Sequence, residues 1–170
     1  MKRSTAIALL LTLLLTGCTG KQDEEKTLTP EERTQLYETA ITSARDEEIN
    51  QANPPLTSTE EDGADMVFSL LGVSPDDMSA YALSVSLMNI RAYAVAAIYP
   101  AAGKEDVVLE GLRAFVDNQK AAFELYLADQ YEIAVNARLE TLEDGTVLLV
   151  MCEGQDAVFD AISDAIGNGK

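Results

Sequence analysis

Carboxylates are the abundant reactive groups of this chain. Its 170 residues carry 29 Asp and Glu against 12 Lys and Arg, for a net charge of −17. The acids come in runs: Asp46-Glu47-Glu48, Glu60-Glu61-Asp62 with Asp65, Asp76-Asp77, and Glu105-Asp106. Oxygen ligands of this kind suit calcium, which binds where several of them alternate around a glycine turn. Glu60, Glu61, Asp62 and Asp65 surround Gly63 without that alternation. No metal site and no cofactor is assigned; these four are the candidate ligands should calcium bind. The competing reading is structural. Most of these acids fall in the first turn of an expected helix, where the helix dipole favours negative charge, and blocks of charge mark solvated faces. Paired carboxylates also hydrolyse glycosides, but the sequence has no Trp and sets no aromatic platform beside its acids.

There is no histidine. That removes the commonest general base, the commonest metal ligand and every Ser–His or Cys–His nucleophile pair. No phosphate-cradling glycine loop and no zinc spacing is present, so no catalytic residue is assigned. The two cysteines are Cys18 and Cys152. Cys152 lies in the most apolar of the expected strands. A buried, unreactive thiol is expected there, because reactivity needs exposure and a positive neighbourhood. A surface this acidic excludes nucleic acid and repels anionic headgroups; it permits cations, basic peptides and basic protein surfaces.

Cys18 has a different context. Met1-Lys2-Arg3 is basic, Ile7 to Leu15 is apolar except for Thr12, and Leu15-Thr16-Gly17-Cys18 follows. A charged head, an apolar middle and small residues at the cut form the layout of a secretory signal. The segment is too short to span a bilayer, which takes about 20 apolar residues. It also resembles the lipobox of bacterial lipoproteins, which implies cleavage after Gly17 and acylation of Cys18. Residues 1–17 are then a signal peptide. Losing Lys2 and Arg3 takes the net charge from −17 to −19. Cys152 is left without a partner in the chain. Residues 18–28 read as the lipidated cysteine and a tether, since Thr19 to Thr27 holds no apolar residue and cannot bury enough surface to order itself.

Residues 29–170 read as one domain, with a helical part over 29–72 and a sheet-containing body over 78–167. Thr29-Pro30-Glu31-Glu32 starts a helix through a capping box with proline at the first position. Leu36, Tyr37, Ala40, Ile41 and Ala44 continue it to about Glu48. Ser58 or Thr59 caps a shorter helix that carries Met66, Val67, Leu70 and Leu71, and Gly72 stops it. Ser74 to Asp77 is a turn. The period then changes to two: Tyr81, Leu83, Val85 and Leu87 alternate along one strand, and Arg91 to Tyr99 forms a second. Lys104 to Leu127 is the longest helix, with Val107, Val108, Leu112, Phe115, Val116, Gln119, Phe123 and Tyr126 on one stripe. Asp129 to Val135 is a turn or short helix. Asp144-Gly145 is a strong hairpin signal. It sets a strand near 137–142, a stretch equally readable as a helix end, against Thr146–Cys152. Gln155 to Ile166 is the last helix.

The expected fold is α+β: a four-stranded antiparallel sheet built from two hairpins, with helices packed on one face, preceded by one or two helices. Gly103-Lys104-Glu105-Asp106-Val107 and Gly154-Gln155-Asp156-Ala157-Val158 each follow a hairpin, which raises a pseudo-repeat.

The run Val116-Asp117-Asn118-Gln119-Lys120-Ala121-Ala122-Phe123-Glu124-Leu125-Tyr126 resembles the long-helix signature of a Gram-positive lipoprotein family catalogued as domain of unknown function 4358. Arg113, Gln119, Phe123 and Tyr126 match its pattern, as does Gly145-Thr146-Val147-Leu148-Leu149-Val150. The resemblance covers roughly residues 66–166. It departs at Ala128-Asp129-Gln130, where members often turn through proline, and at Asp144-Gly145, where they tend to have Gly-Asn. It implies a location and a fold but no substrate. Arg113, Gln119, Phe123 and Tyr126 are the surface it singles out; the local alternative is a helix face bonded to the neighbouring loop. The expected function is a non-enzymatic, lipid-anchored extracytoplasmic binding or scaffolding domain at the cell membrane. Its partner would be another envelope protein or a basic ligand. The alternative is an accessory or catalytic envelope hydrolase that uses clustered carboxylates.

Overall fold

A computed structural model of the chain describes residues 28–169. Cys18, the signal and residues 19–27 of the tether lie outside the described residues.

The sheet has four antiparallel strands in the order β1-β2-β4-β3, where β1 is Met78–Val85, β2 Ala94–Pro100, β3 Arg138–Thr141 and β4 Val147–Met151. The fold is α+β, as expected, and both hairpins form. Tyr81 stands opposite Ile98, Ala96 opposite Leu149, and Leu139 opposite Leu149 on its other side. The stretch that read as either helix end or strand is strand β3. Gly145, at φ 88°, supplies the left-handed residue that its turn needs.

Among the described residues six α-helices accompany the sheet: α1 Pro30–Ser43, α2 Glu47–Ala52, α3 Ala64–Leu71, α4 Glu105–Phe123, α5 Ala128–Val135 and α6 Gln155–Asn168. They cover both faces, not one. On one face Leu83, Ala96, Ile98, Val147 and Leu149 meet Phe68 and Leu71 of α3 and Leu112, Phe115 and Phe123 of α4. On the other Ala82, Val95, Ala97, Leu148 and Val150 meet Tyr37 and Ile41 of α1 and Phe159 and Ile162 of α6. The physical reason lies in the inner strands. β2 and β4 present apolar side chains on both sides, and a single helical layer would leave Val95, Leu148 and Val150 in water. The pseudo-repeat falls for the same reason. A two-fold that exchanged the hairpins would run normal to the sheet and keep faces, whereas α4 and α6 lie on opposite ones.

Local signals explain most boundaries and some departures. The capping box forms at Thr29, whose hydroxyl accepts from the Glu32 N–H at 3.2 Å while the Glu32 carboxylate accepts from the Thr29 N–H at 2.9 Å. The first helix stops at Ser43 rather than Glu48, because Asp46 caps a new one by accepting from the Ile49 N–H at 2.8 Å. The shorter helix begins at Ala64, not at Ser58 or Thr59. Glu61 instead turns back to accept from the N–H groups of Thr57 and Ser58 at 2.7 and 2.9 Å, and Gly63 enters the helix at φ 84°. Gly72 ends it in a left-handed conformation and lies against Gly111 of α4, where any Cβ on Gly111 would overlap the Gly72 carbonyl. The long helix closes at Phe123. Tyr126 therefore leaves the apolar stripe and is 84% exposed, and Val107 is exposed as well.

Candidate functional site

The residues singled out by the long-helix resemblance do not form one site. Phe123 is buried in the core. Tyr126 stands in solvent beyond the helix end. Arg113 is exposed and lines a groove with Val116, Asp117, Lys120, Ala137 and Leu139, between α4 and β3. Gln119 is half-buried. Neither Arg113 nor Gln119 hydrogen-bonds to a neighbouring loop among the described residues. Successive α-helical positions are 100° apart, which sets Arg113 on a different side of α4 from Gln119 and Phe123.

The acidic candidates are also dispersed. One oxygen of Glu61 is committed to the backbone of Thr57 and Ser58. Glu60, Asp62 and Asp65 are exposed around it. Among the described residues, no three Asp, Glu or Cys side chains converge in a group that could hold a metal ion.

The strongest electrostatics lie elsewhere, at the end of the sheet where the chain enters α1. The Arg33 guanidinium meets the Asp144 carboxylate at 2.7 Å, with both side chains about nine-tenths buried. The same guanidinium stacks on Tyr99 at 3.9 Å from the ring centre. Tyr37 and Thr146 share a hydroxyl hydrogen bond of 2.6 Å, and Asp144 accepts from the Thr146 N–H at 3.0 Å. Burial alone would push the Asp144 carboxyl up. The Thr146 hydrogen bonds and Arg33 outweigh it and hold the group below its usual 3.8. Burial pushes Tyr37 up to about 12, so its hydroxyl stays neutral. A carboxyl held ionised in an ion pair is a poor proton donor at neutral pH. Asp144 borders a groove of about 310 Å³ with Glu140 and Glu143, but this chemistry does not suit a general acid there.

A second, half-buried arginine sits at the other end of α1. Arg45 donates to Ser84 Oγ at 2.7 Å, to the Ile41 carbonyl at 3.1 Å and to the Tyr93 hydroxyl. Among the described residues its charge meets no carboxylate. Its Nη2, Asn50 Oδ1 and Asn53 Nδ2 are buried without a protein partner. Sequence reading missed both arginines, although the signal was present. Arg33, Tyr37, Ile41 and Arg45 recur every fourth residue, so each arginine extends the buried stripe by one turn.

Near Arg45, the same end of the sheet carries five of the eight large exposed apolar side chains among the described residues. The β1–β2 loop displays Leu87, Met88 and Ile90, and the α4–α5 junction displays Leu125 and Tyr126, at exposures of 50% to 84%. The two segments are tied together, since Gln130 Oε1 in the first turn of α5 accepts from the Ala92 N–H at 2.8 Å. Beside them runs a groove of about 390 Å³ lined by Asp129, Glu132 and Glu153.

Sheet, layers and surface together define an α+β domain, a four-stranded antiparallel sheet between two helical layers, with exposed apolar side chains at one end and a buried ion pair at the other. The chain belongs to the family described as Domain of unknown function (DUF4358), whose model matches residues 53–152. The match takes in the whole sheet with α3, α4 and α5, and leaves α1 and α6 outside. No curated protein and no solved structure matches the chain.

Proposed function

We propose that the protein is a lipid-anchored extracytoplasmic domain that binds or scaffolds another component of the cell envelope. The observation that carries this reading is Leu15-Thr16-Gly17-Cys18 placed directly after a short apolar run. Two or three acyl chains on one cysteine hold a protein stably to a membrane, whereas one does so only marginally. No helix among the described residues is long and apolar enough to cross a membrane, so lipid is the means of attachment proposed here. Binding rather than catalysis is favoured by what the domain displays: a cluster of exposed apolar side chains on a strongly acidic body.

The test is membrane fractionation with an alkyne-tagged fatty acid. The wild-type chain takes up label and sediments with membranes. Cys18→Ala loses the label and appears in the soluble fraction. A Cys18→Ala chain that stays with membranes would sink the anchor.

A further inference from the structure

The exposed apolar cluster sits at a defined place. α1 begins beside the β3–β4 turn, where Arg33 meets Asp144, and runs the length of the sheet until Arg45 reaches Ser84 and Tyr93. Fourteen helical residues cover about 21 Å at 1.5 Å each. The β1–β2 loop and the α4–α5 junction therefore lie about that far from the point where the chain enters the domain.

This end is held in shape before any partner arrives. Ser86 and Tyr93 close the hairpin at 3.0 Å, the Arg91 N–H donates to the Met88 carbonyl at 3.2 Å, and the Met88 N–H donates to Ser86 Oγ at 3.2 Å. Gln130 then fixes the loop to α5 at Ala92. Leu87, Met88 and Ile90 are thus presented by a pinned loop, and pre-ordering of this kind lowers the entropy cost of binding. The surroundings are acidic. Arg91 and the half-buried Arg45 bring two positive charges, against four acids: Glu124 and the groove residues Asp129, Glu132 and Glu153.

We propose that this end is a docking tip for a protein that offers an apolar cleft rimmed by lysine or arginine. The apolar side chains supply the contact area, and the acids select the rim and steer the approach. An anionic bilayer is disfavoured by the same acids, and a second copy would bring like charge against like. The proposal rests on the binding-domain reading above and adds the surface and the partner's chemistry.

The test uses the full chain in its native membranes, with a photo-crosslinking amino acid at Met88 or Tyr126 and, as controls, at Gln35 or Glu143 near the chain-entry end. The tip positions are expected to crosslink a different protein, on a segment where apolar residues adjoin Lys or Arg. The yield should fall at least fivefold when Glu132 and Glu153 are replaced by Gln, with Asp129 kept because it accepts from Gln130 Nε2 at 2.9 Å, and stay constant in Glu31→Gln/Glu38→Gln. All variants should keep the parental melting temperature, since every changed side chain is exposed. Crosslinks only to lipid, only to another copy of the chain, or insensitive to the groove acids would overturn the proposal. Crosslinks from the control positions alone would overturn the tip and leave the binding reading standing, whereas silence at every position would remove both.

Discussion

The two faces of the sheet are closed by different physics. Against α3 and α4 the seal is apolar throughout: Val67, Phe68, Leu71, Val108, Leu112, Phe115 and Phe123 pack on Leu83, Ile98 and Leu149. Against α1 and α6 the seal mixes apolar contact with charge. Ser84 and Thr146 are buried there, Arg33 and Arg45 bracket α1, and Arg138 of β3 stacks on Phe159 of α6 at 3.7 Å while pairing with Asp160 at 2.8 Å. The family match divides the faces in the same way. Residues 53–152 hold all of the apolar layer, and the two helices held by arginines lie outside. An ion pair at one end of α1 and a hydroxyl-bonded arginine at the other add directional bonds that fix its position along the sheet. The polar face thus sets where α1 and α6 sit, and the apolar face holds the larger set of buried apolar residues.

The largest expected effect tests the apolar layer. Phe123→Ala should cost about 4 kcal/mol, in the range for emptying a buried aromatic site, and the cost should not vary between pH 5 and 8. Tyr126→Ala, three residues on in the same family signature, should cost less than about 0.5 kcal/mol, since surface positions rarely cost more. Urea titrations of both variants measure this directly. A cost for Tyr126→Ala as large as that for Phe123→Ala would mean that both signature residues pack, and a small cost for both would mean that the signature is surface rather than core.

The polar face should respond differently. Asp144→Asn keeps the acceptor for the Thr146 N–H but strands the Arg33 charge, and breaking a buried pair in this way costs about 3 kcal/mol. Adding Arg33→Met should recover a good part of that loss, because it removes the unpaired charge; a simple sum of the two single effects would mean that the residues do not couple. The pair also makes stability depend on pH. Asp144 titrates below its ordinary value in the folded protein, so its contribution is full above about 3.8 and is lost as pH falls through the lower, folded-state value. Asp77 acts in the same direction, lowered by its hydrogen bonds from Lys104 and Ser74. Asp144→Asn should therefore flatten the acid limb of the stability curve below pH 4 and leave the neutral plateau lower but level.

The sequence resolved the two layers unequally, for a reason that particular residues make plain. Alternation at Tyr81, Leu83 and Val85, the glycines at 72 and 145, and the Thr29 capping box are local signals, and the elements they predict are present. The number of helical layers is not local. Val95 and Leu148 betrayed it, since apolar residues on both sides of an inner strand need two covers, but helices on one face remained the simpler arrangement on the pattern alone. Arg33 was legible only as a polar interruption of a helix; what makes it structural is Asp144, far along the chain. The exposed tip was hidden for the opposite reason. Leu87 and Tyr126 continue perfectly good strand and helix periods, and only the early ends of β1 at Val85 and α4 at Phe123 bring them into water.

The smallest effect probes whether the polar face is dry. Cys152 lies on that face and is buried. Burial is the largest influence on its thiol, the Arg45 cation lowers it less, and Glu153 raises it; the result is pushed up to about 11 from the usual 9.0. A cation beside a thiol is also the arrangement that activates reactive cysteines, so the two influences predict opposite behaviour. If burial prevails, a shift of this size cuts the thiolate fraction at pH 8 about a hundredfold, because reactivity follows the thiolate. In a Cys18→Ala background, so that Cys152 alone reports, the folded chain should then react with a disulfide reagent at least a hundredfold more slowly than the chain in denaturant. Arg45→Met should slow that rate somewhat further, because it removes the one influence that lowers the thiol. Fast labelling of the folded chain that disappears in Arg45→Met would instead make Arg45 a thiolate partner open to water, and the polar face would be a reactive surface rather than a seal.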